Sequence, residues 1–399
     1  MENKFNMERK LVTLRTITEI KPIPDADRIC AYILDGWQVV DQVGKYEVGE
    51  LVVFFEIDSL LPIREEFEFL RKSSYVQKNW LEGIVPNGEG FRLRSIKLKK
   101  TLSQGLITKI LNDSDLATKI TFHEIQIGED LSEYFGVIKY DPPQRTAGLP
   151  GGIPKGNFPW FIPKTDQERI QNIHTSHLQE CIDSGELFEV TQKYHGSSIT
   201  IFYIREGSQY QDEKHSGLGI CSRNVYLKIE ENPDNHFVKT TFDLNLHKVI
   251  EVVSDHLNID LAIQGEICGP GINQNWHGLE SYNIFIFDIY NITERRYFSP
   301  VERWNIIQIM LQPNLNSKYI GAIADLFIPE QMVNRGNDIS NYFLPIPSTD
   351  RSVLLEWANY KLPNGKPNEG LVFKSATRDF SFKVVNNEFL LNGGEESEG

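Results

Sequence analysis

Cysteine is scarce. The 399 residues hold four, Cys30, Cys181, Cys221 and Cys268, none close enough to another to make a C-x-x-C pair. That spacing argues against a disulfide framework and a structural zinc site, and leaves buried free thiols as the expectation. Also missing is any run of about 18 apolar residues, the length a membrane helix needs. The first ten residues, "MENKFNMERK", contain no apolar block, so neither a signal peptide nor a membrane span is expected, and the expected home is cytoplasmic or nuclear. Positive charge is short too: 41 Lys and Arg stand against 55 Asp and Glu, a net charge of −14. An acidic chain is a poor general partner for nucleic acid, so any polyanion must be met by a local cluster.

What is present fits a two-domain globular protein. Length exceeds one ordinary core, and hydrophobic residues make up 40% of the chain. From about 11 to 110 the text alternates short β-rich runs with Gly, Pro and Asp: "KLVTLRTITEI", "CAYILDGWQVV", "ELVVFFEIDSLL", "GFRLRSIKL" and "GLITKIL". This pattern predicts a small β-barrel. A Pro- and Gly-dense stretch, 140–164, reads as a linker between a barrel domain at 7–139 and a second domain at 165–392. In the second, Thr165 and Glu168 have capping-box spacing ahead of Ile170, Ile173, Leu178 and Cys181, which predicts a helix at the domain's entry. Strand-like segments follow near 187–204, 216–227, 259–268, 282–290 and 369–386, with helical text at 300–311 and 350–360. The fold class is α+β. The end "NGGEESEG" is expected to be solvated.

"EVTQKYHGSSITIFYI" places Phe188 and Val190 on one strand face and Glu189, Thr191 and Lys193 on the other. Gly196 supplies a tight turn, and "SSITIFYI" is expected to return as the partner of a hairpin. Further along, "LAIQGEICGPG" ends a strand on Glu266, and "YNIFIFDIY" reads as a buried strand carrying Phe285, Phe287 and Asp288. "NEGLVFKSATRDFSFKVVN" reads as a hairpin with Glu369 at its start, Lys374 at the turn and Lys383 on the polar face of the return strand. Singly, these are a solvated lysine, a strand-end glutamate and core phenylalanines. Together they put amines, carboxylates and an aromatic face on strands of one sheet, an assembly costly to bury without a function.

"KYHG" matches K-x-[DHE]-G, the first motif of the covalent nucleotidyltransferases, and "SRN", "QGE", "FIFD", "EGLVFK" and "SFKVVN" follow in an order similar to the later motifs. The H-G form resembles the RNA ligase branch; DNA ligases and capping enzymes have Asp there. "EIKPIPDADRICAYILDGWQVV", "GELVVFFEIDSLLP" and "FRLRSIKLKKTLSQGL" resemble the OB domain that precedes the ligase domain in the fifth family of ATP-dependent RNA ligases, and "FIPKTDQERIQN" resembles that family's entry into the catalytic domain. "PIPDAD" is also similar to tRNA-binding OB modules. The resemblance implies an N-terminal OB-fold barrel followed by an ATP-grasp-like, DNA-ligase-type nucleotidyltransferase domain of antiparallel sheets and helices.

The activity implied is ATP-dependent joining of 3′-hydroxyl and 5′-phosphate ends through lysyl-AMP and RNA-adenylate, at nicks with RNA on the 3′-hydroxyl side, by a monomer. By the resemblance Lys193 is the nucleophile, and His195 and Lys383 serve the chemistry. Gln192, Gly196, Arg223, Glu266, Phe287, Lys374 and Arg169 bind the nucleotide, with Phe285 the alternative to Phe287 against adenine. Glu369 and Glu266 face Mg²⁺ or Mn²⁺. Ser381 departs from the family's last motif, where a lysine is common, and Lys374 or a water is the expected substitute. Arg92, Arg94, Lys97 and Lys99, in the densest basic run, are the candidate RNA-phosphate surface, and a solvated edge strand is the alternative. Trp37, Phe54 and Phe55 are expected in the core. The rival functions are a DNA ligase, a GTP-using capping enzyme and a non-catalytic OB-fold RNA-binding protein.

Overall fold

A computed structural model describes residues 9–110, 116, 118–119, 124–141, 152–310 and 343–392 of the chain. The first eight residues, the centre of the expected linker and nearly all of the acidic end lie outside them.

In the N-terminal half, Val12–Thr16 and Leu106–Lys109 flank Leu51–Phe55 in one antiparallel sheet, and Glu19–Ile23, Ala26–Leu34 and Trp37–Gln42 form a second. Period-two alternation decides the packing. Phe54 joins Tyr32, Trp37 and Ile107 in one core, while Phe55 points the opposite way into a core with Leu14, Phe67, Phe91 and Phe135. Trp37, Phe54 and Phe55 are thus core, as expected. Asp35 and Gly36, both at positive φ, make the two-residue turn between Ala26–Leu34 and Trp37–Gln42. A Cβ on Gly36 would also lie 3.1 Å from Arg351 Cβ, because the two halves of the molecule meet there.

The second half is built on two sheets. A seven-stranded antiparallel sheet contains Ser197–Ile204, Leu261–Cys268 and Asn283–Asn291 side by side, and a five-stranded sheet contains Leu187–Lys193, Gly370–Ser375 and Ser381–Val385. Pro154–Asn157, read as linker, is the edge strand of the larger sheet, and Phe161 and Ile162 behind it are buried. An edge tolerates Pro, which is why composition hides this strand.

The expected entry helix is displaced. Glu168–Arg169 pairs in parallel with Phe382–Lys383, a 3₁₀ turn follows, and the helix runs Thr175–Asp183 with His174 as its cap, accepting from Ser176 N–H. The capping-box spacing is outcompeted by sheet pairing at Arg169 and by polar contacts between the halves. Asn172 Oδ1 accepts from Arg15 at 3.0 Å and Trp37 Nε1 at 3.2 Å, and its amide nitrogen donates to Glu56 at 2.7 Å. The hairpin Ser95–Gln104 adds apolar contact through Leu102, which clusters with Trp276, Phe389 and Leu390. Helices His236–Asp243 and Leu246–Leu257 cover the larger sheet. All four cysteines are buried and free. No helix among the described residues is long and apolar enough to cross a membrane.

Candidate active site

Leu187–Lys193 and Ser197–Ile204 are not a hairpin. The first lies in the five-stranded sheet and the second in the seven-stranded one, so Tyr194, His195 and Gly196 carry the chain from sheet to sheet. The assembly read as one sheet is two, whose facing residues line part of a cleft of about 2830 Å³ that extends over the N-terminal half. Gly196 is needed for closeness, not for a turn conformation: a Cβ there would lie 2.3 Å from Ile267 O and 2.5 Å from Cys268 Sγ.

The five-stranded sheet supplies the amines. Its inner core takes Phe188, Val190, Leu371, Phe373, Phe382 and Val384, so the alternate residues turn to the cleft. That second face is also enclosed: Glu189 and Thr191 are buried, and Lys193, at the strand's end, is the one that reaches open space. Register places Lys193 opposite Gly370, and its Nζ contacts the carboxylate of Glu369. Lys374 is buried, donates to Phe287 O at 2.6 Å and pairs with Asp288 at 2.7 Å. Asp288 also lies 3.6 Å from Arg303, whose other partner is Glu189. Burial lowers the pKa of Lys374, opposed by Asp288. Lys383 pairs with Asp166 at 2.9 Å; burial lowers its pKa, and proximity to Arg169 and Lys193 adds to that.

The seven-stranded sheet supplies a carboxylate and rings. Glu266 accepts the Gly196 N–H at 3.2 Å. Its depth in the cleft pushes its pKa up to about 8, with the Lys193 charge opposing and Glu369 reinforcing the shift. The strands Leu261–Cys268 and Asn283–Asn291 slip register at Gln264/Gly265, leaving Phe287 at an irregularity where it is half-buried at the cleft wall. The two phenylalanines separate here. Phe285 stacks on Tyr194 at 3.7 Å and 13°, whereas Phe287 has the Lys374 ammonium 5.5 Å from its ring centre.

His195 lies within 3.9 Å of Glu369, packed edge-on against Trp276 and Phe389, and burial pulls its pKa down to about 3, so the ring is neutral. Gln192 accepts from the Tyr360 hydroxyl at 3.4 Å. Arg223 is exposed at the cleft mouth. Arg169 also borders the cleft, but from a strand, not a helix, with its guanidinium 5.6 Å from the Trp37 ring.

The basic run is broken. Arg92 ends one strand and sits 4.3 Å over Tyr140; Ser95–Leu98 starts another; Lys99 and Lys100 form the following turn at positive φ. Arg92, Arg94 and Lys97 border the cleft, and Lys99 points elsewhere at the hairpin tip. Sequence reading passed over Asp166, Glu189, Arg303, Asn273 and His277. Asp166 stands inside the "FIPKTDQERIQN" resemblance without being singled out, Glu189 was placed only by strand alternation, and the others carry no local signal.

Comparison with known proteins agrees with this geometry. An OB-fold domain model matches residues 11–110, and an RNA ligase model matches residues 186–385. The RNA ligase of Naegleria gruberi solved with PPi is 30% identical, with a TM-score of 0.72 over 96% of this chain and 99% of that one. The chain belongs to the RNA ligase family. Two further structures resemble this RNA ligase over the same shares, both with a TM-score of 0.72: a lysine-to-methionine variant of the Naegleria enzyme with AMP and Mn, 31% identical, and a lysine-to-alanine variant with ATP and Mn, 30% identical. No curated protein sequence matches it.

Proposed function

We propose that this RNA ligase seals RNA 3′-hydroxyl and 5′-phosphate ends with ATP, in three transfers that start on Lys193, and that its preferred substrate is a nick with RNA on the 3′-hydroxyl side. The observation that carries the reading is the amine of Lys193, in contact with Glu369 and within electrostatic reach of Glu266, at the cleft into which Lys374 and Lys383 also face. The Lys193 nitrogen attacks the α-phosphorus of ATP, the bond to pyrophosphate breaks, and the adenylyl group then passes to the RNA 5′-phosphate before the 3′-hydroxyl displaces AMP. Attack requires a neutral amine, and an ordinary lysine titrates at about 10.4. Glu369 touches the nitrogen that must lose a proton.

Two carboxylates from opposite walls, Glu369 and Glu266, suit a hydrated Mg²⁺ or Mn²⁺, which commonly takes one or two carboxylates and keeps waters and phosphate oxygens as its other ligands. No group of three or more His, Cys, Asp or Glu able to hold a metal occurs among the described residues, in keeping with a cation carried partly by the triphosphate. When bound, the cation offsets both carboxylates and the phosphate charge, favouring the neutral amine. Phe287 is the adenine platform, more open than Phe285, whose face is taken by Tyr194. Gln192 lies along the base edge, Glu266 takes the ribose, and Arg223, Arg169 and Lys383 meet phosphate. His195, neutral and enclosed, supports the later transfers from beside Glu369. Arg94 and Lys97 guide the RNA backbone, Arg92 stiffens that wall through Tyr140, and Lys99 has no share in it.

Incubation with α-labelled ATP and Mg²⁺ or Mn²⁺ tests the reading. Label is expected on Lys193, and label taken from GTP instead overturns it. Nicked duplexes with RNA or DNA on each side then test the nick preference.

A further inference from the structure

The loop from Gly269 to Gly278 carries "GPGINQNWHG", in which Asn273, Gln274 and Asn275 have three consecutive positive φ values, 42°, 56° and 46°. Residues with a Cβ avoid this left-handed conformation and almost never adopt it in series. Such backbone persists only where its surroundings hold it. Three contacts do so: Trp276 Nε1 donates to Pro367 O, Asn364 Nδ2 donates to Trp276 O, and Asn275 Nδ2 donates to Leu279 O, each at 2.8 Å.

Two polar side chains of the loop reach the crossing between the sheets. Asn273 Nδ2 donates to Gly196 O at 2.5 Å, and His277 Nε2 accepts the His195 N–H at 2.9 Å. With Glu266 on the Gly196 N–H, three main-chain polar groups of His195 and Gly196 are held by side chains from elsewhere. The reason is topological. Residues 194–196 lie after one sheet and before the other, where the strand ladders offer no partners, and an enclosed peptide group must still be satisfied. The His277 ring lies 4.8 Å from Tyr194, which stacks in turn on Phe285.

We propose that Asn273 and His277 are positioning residues for the nucleophile: they clasp the crossing 194–196 so that the Lys193 amine is presented at Glu369. The inference rests on the reading of Lys193 as the nucleophile. Neither residue touches that amine. Asn273 borders the cleft, and His277 lies behind it against Tyr194.

The test combines single-turnover transfer of label from ATP with amide hydrogen exchange of the peptide spanning 193–198, both on the full chain. His277→Ala and Asn273→Ala are each expected to slow label transfer about ten-fold, since small misplacement of a reacting group is costly, with the ATP concentration for half-maximal rate within about two-fold of wild type. Exchange of the peptide rises in both. His277→Gln, whose side-chain oxygen reaches about as far as Nε2, restores slow exchange and most of the rate, and His277→Leu restores neither. Gln274 is exposed and makes no part of the clasp contacts, yet Gln274→Ile slows transfer because a β-branched residue resists positive φ, while Gln274→Gly raises the melting temperature. Unchanged exchange in His277→Ala and Asn273→Ala overturns the clasp. Wild-type protein that takes no label sinks the reading of Lys193 instead, and the exchange measurement still decides whether the crossing is clasped.

Discussion

The two walls of the cleft treat charge differently. On the five-stranded wall each lysine meets a carboxylate: Lys193 with Glu369, Lys374 with Asp288 and Lys383 with Asp166. On the seven-stranded wall Glu266 is offered a backbone N–H, and burial in the cleft raises its pKa to about 8 against the opposing charge of Lys193. One wall pairs its charges with partners; the other keeps a carboxylate whose ionisation burial opposes. Lys374 belongs to the paired side in a strong sense. It forms a chain with Asp288, Arg303 and Glu189 that ties both sheets and the helix Pro300–Met310 together, so its charge is committed to structure before it can influence Lys193.

The comparison breaks most visibly at Lys193. Lys193→Ala is expected to abolish the covalent adduct, read by intact mass after exposure to ATP, while leaving the melting temperature near wild type. Next in size is the structural chain. Asp288→Ala strands two buried cations and should cost about 3–5 kcal/mol, measured by urea unfolding; a double change with Lys374→Met recovers part of that loss if the pairing is the cause. Asn172→Ala, between the two halves, leaves Arg15, Trp37 and Glu56 short of a partner and should cost about 1–3 kcal/mol.

Glu266 sharpens the contrast through pH. Its folded pKa lies above the ordinary carboxylate value of 4.5, so folding favours the protonated form. The stability it contributes is full below that value and is lost as pH rises through about 8. Glu266→Gln should therefore melt about 2–4 °C higher than wild type at pH 9 without nucleotide, with the gap closed by pH 4. The smallest effect belongs to the rim: Arg94→Ala and Lys97→Ala should each reduce the salt dependence of RNA binding by about one unit of slope without changing adduct formation.

Much of this was readable along the chain. "KYHG" and "EGLVFK" stand at strand ends, where a terminal side chain meets open space, and alternating apolar residues declare which face is core; "QGE" instead lies inside Leu261–Cys268, which runs two residues past the expected end at Glu266. The short β-rich runs broken by Gly, Pro and Asp between 11 and 110 likewise announced a barrel. What failed did so for a common reason. The entry helix and the 187–204 hairpin were inferred from neighbours in sequence, whereas Arg169 and Gly196 answer to neighbours in space.

The sequence by itself determined most strands, the barrel ahead of a catalytic domain, and which lysine and glutamates to propose for the chemistry, because periodicity and motif spacing are local properties. Only the tertiary structure decided that those groups face each other from two sheets, that Lys374 is bound to Asp288 and that Asn273 and His277 hold the crossing, since each depends on which backbone and charges lie opposite once the chain has closed.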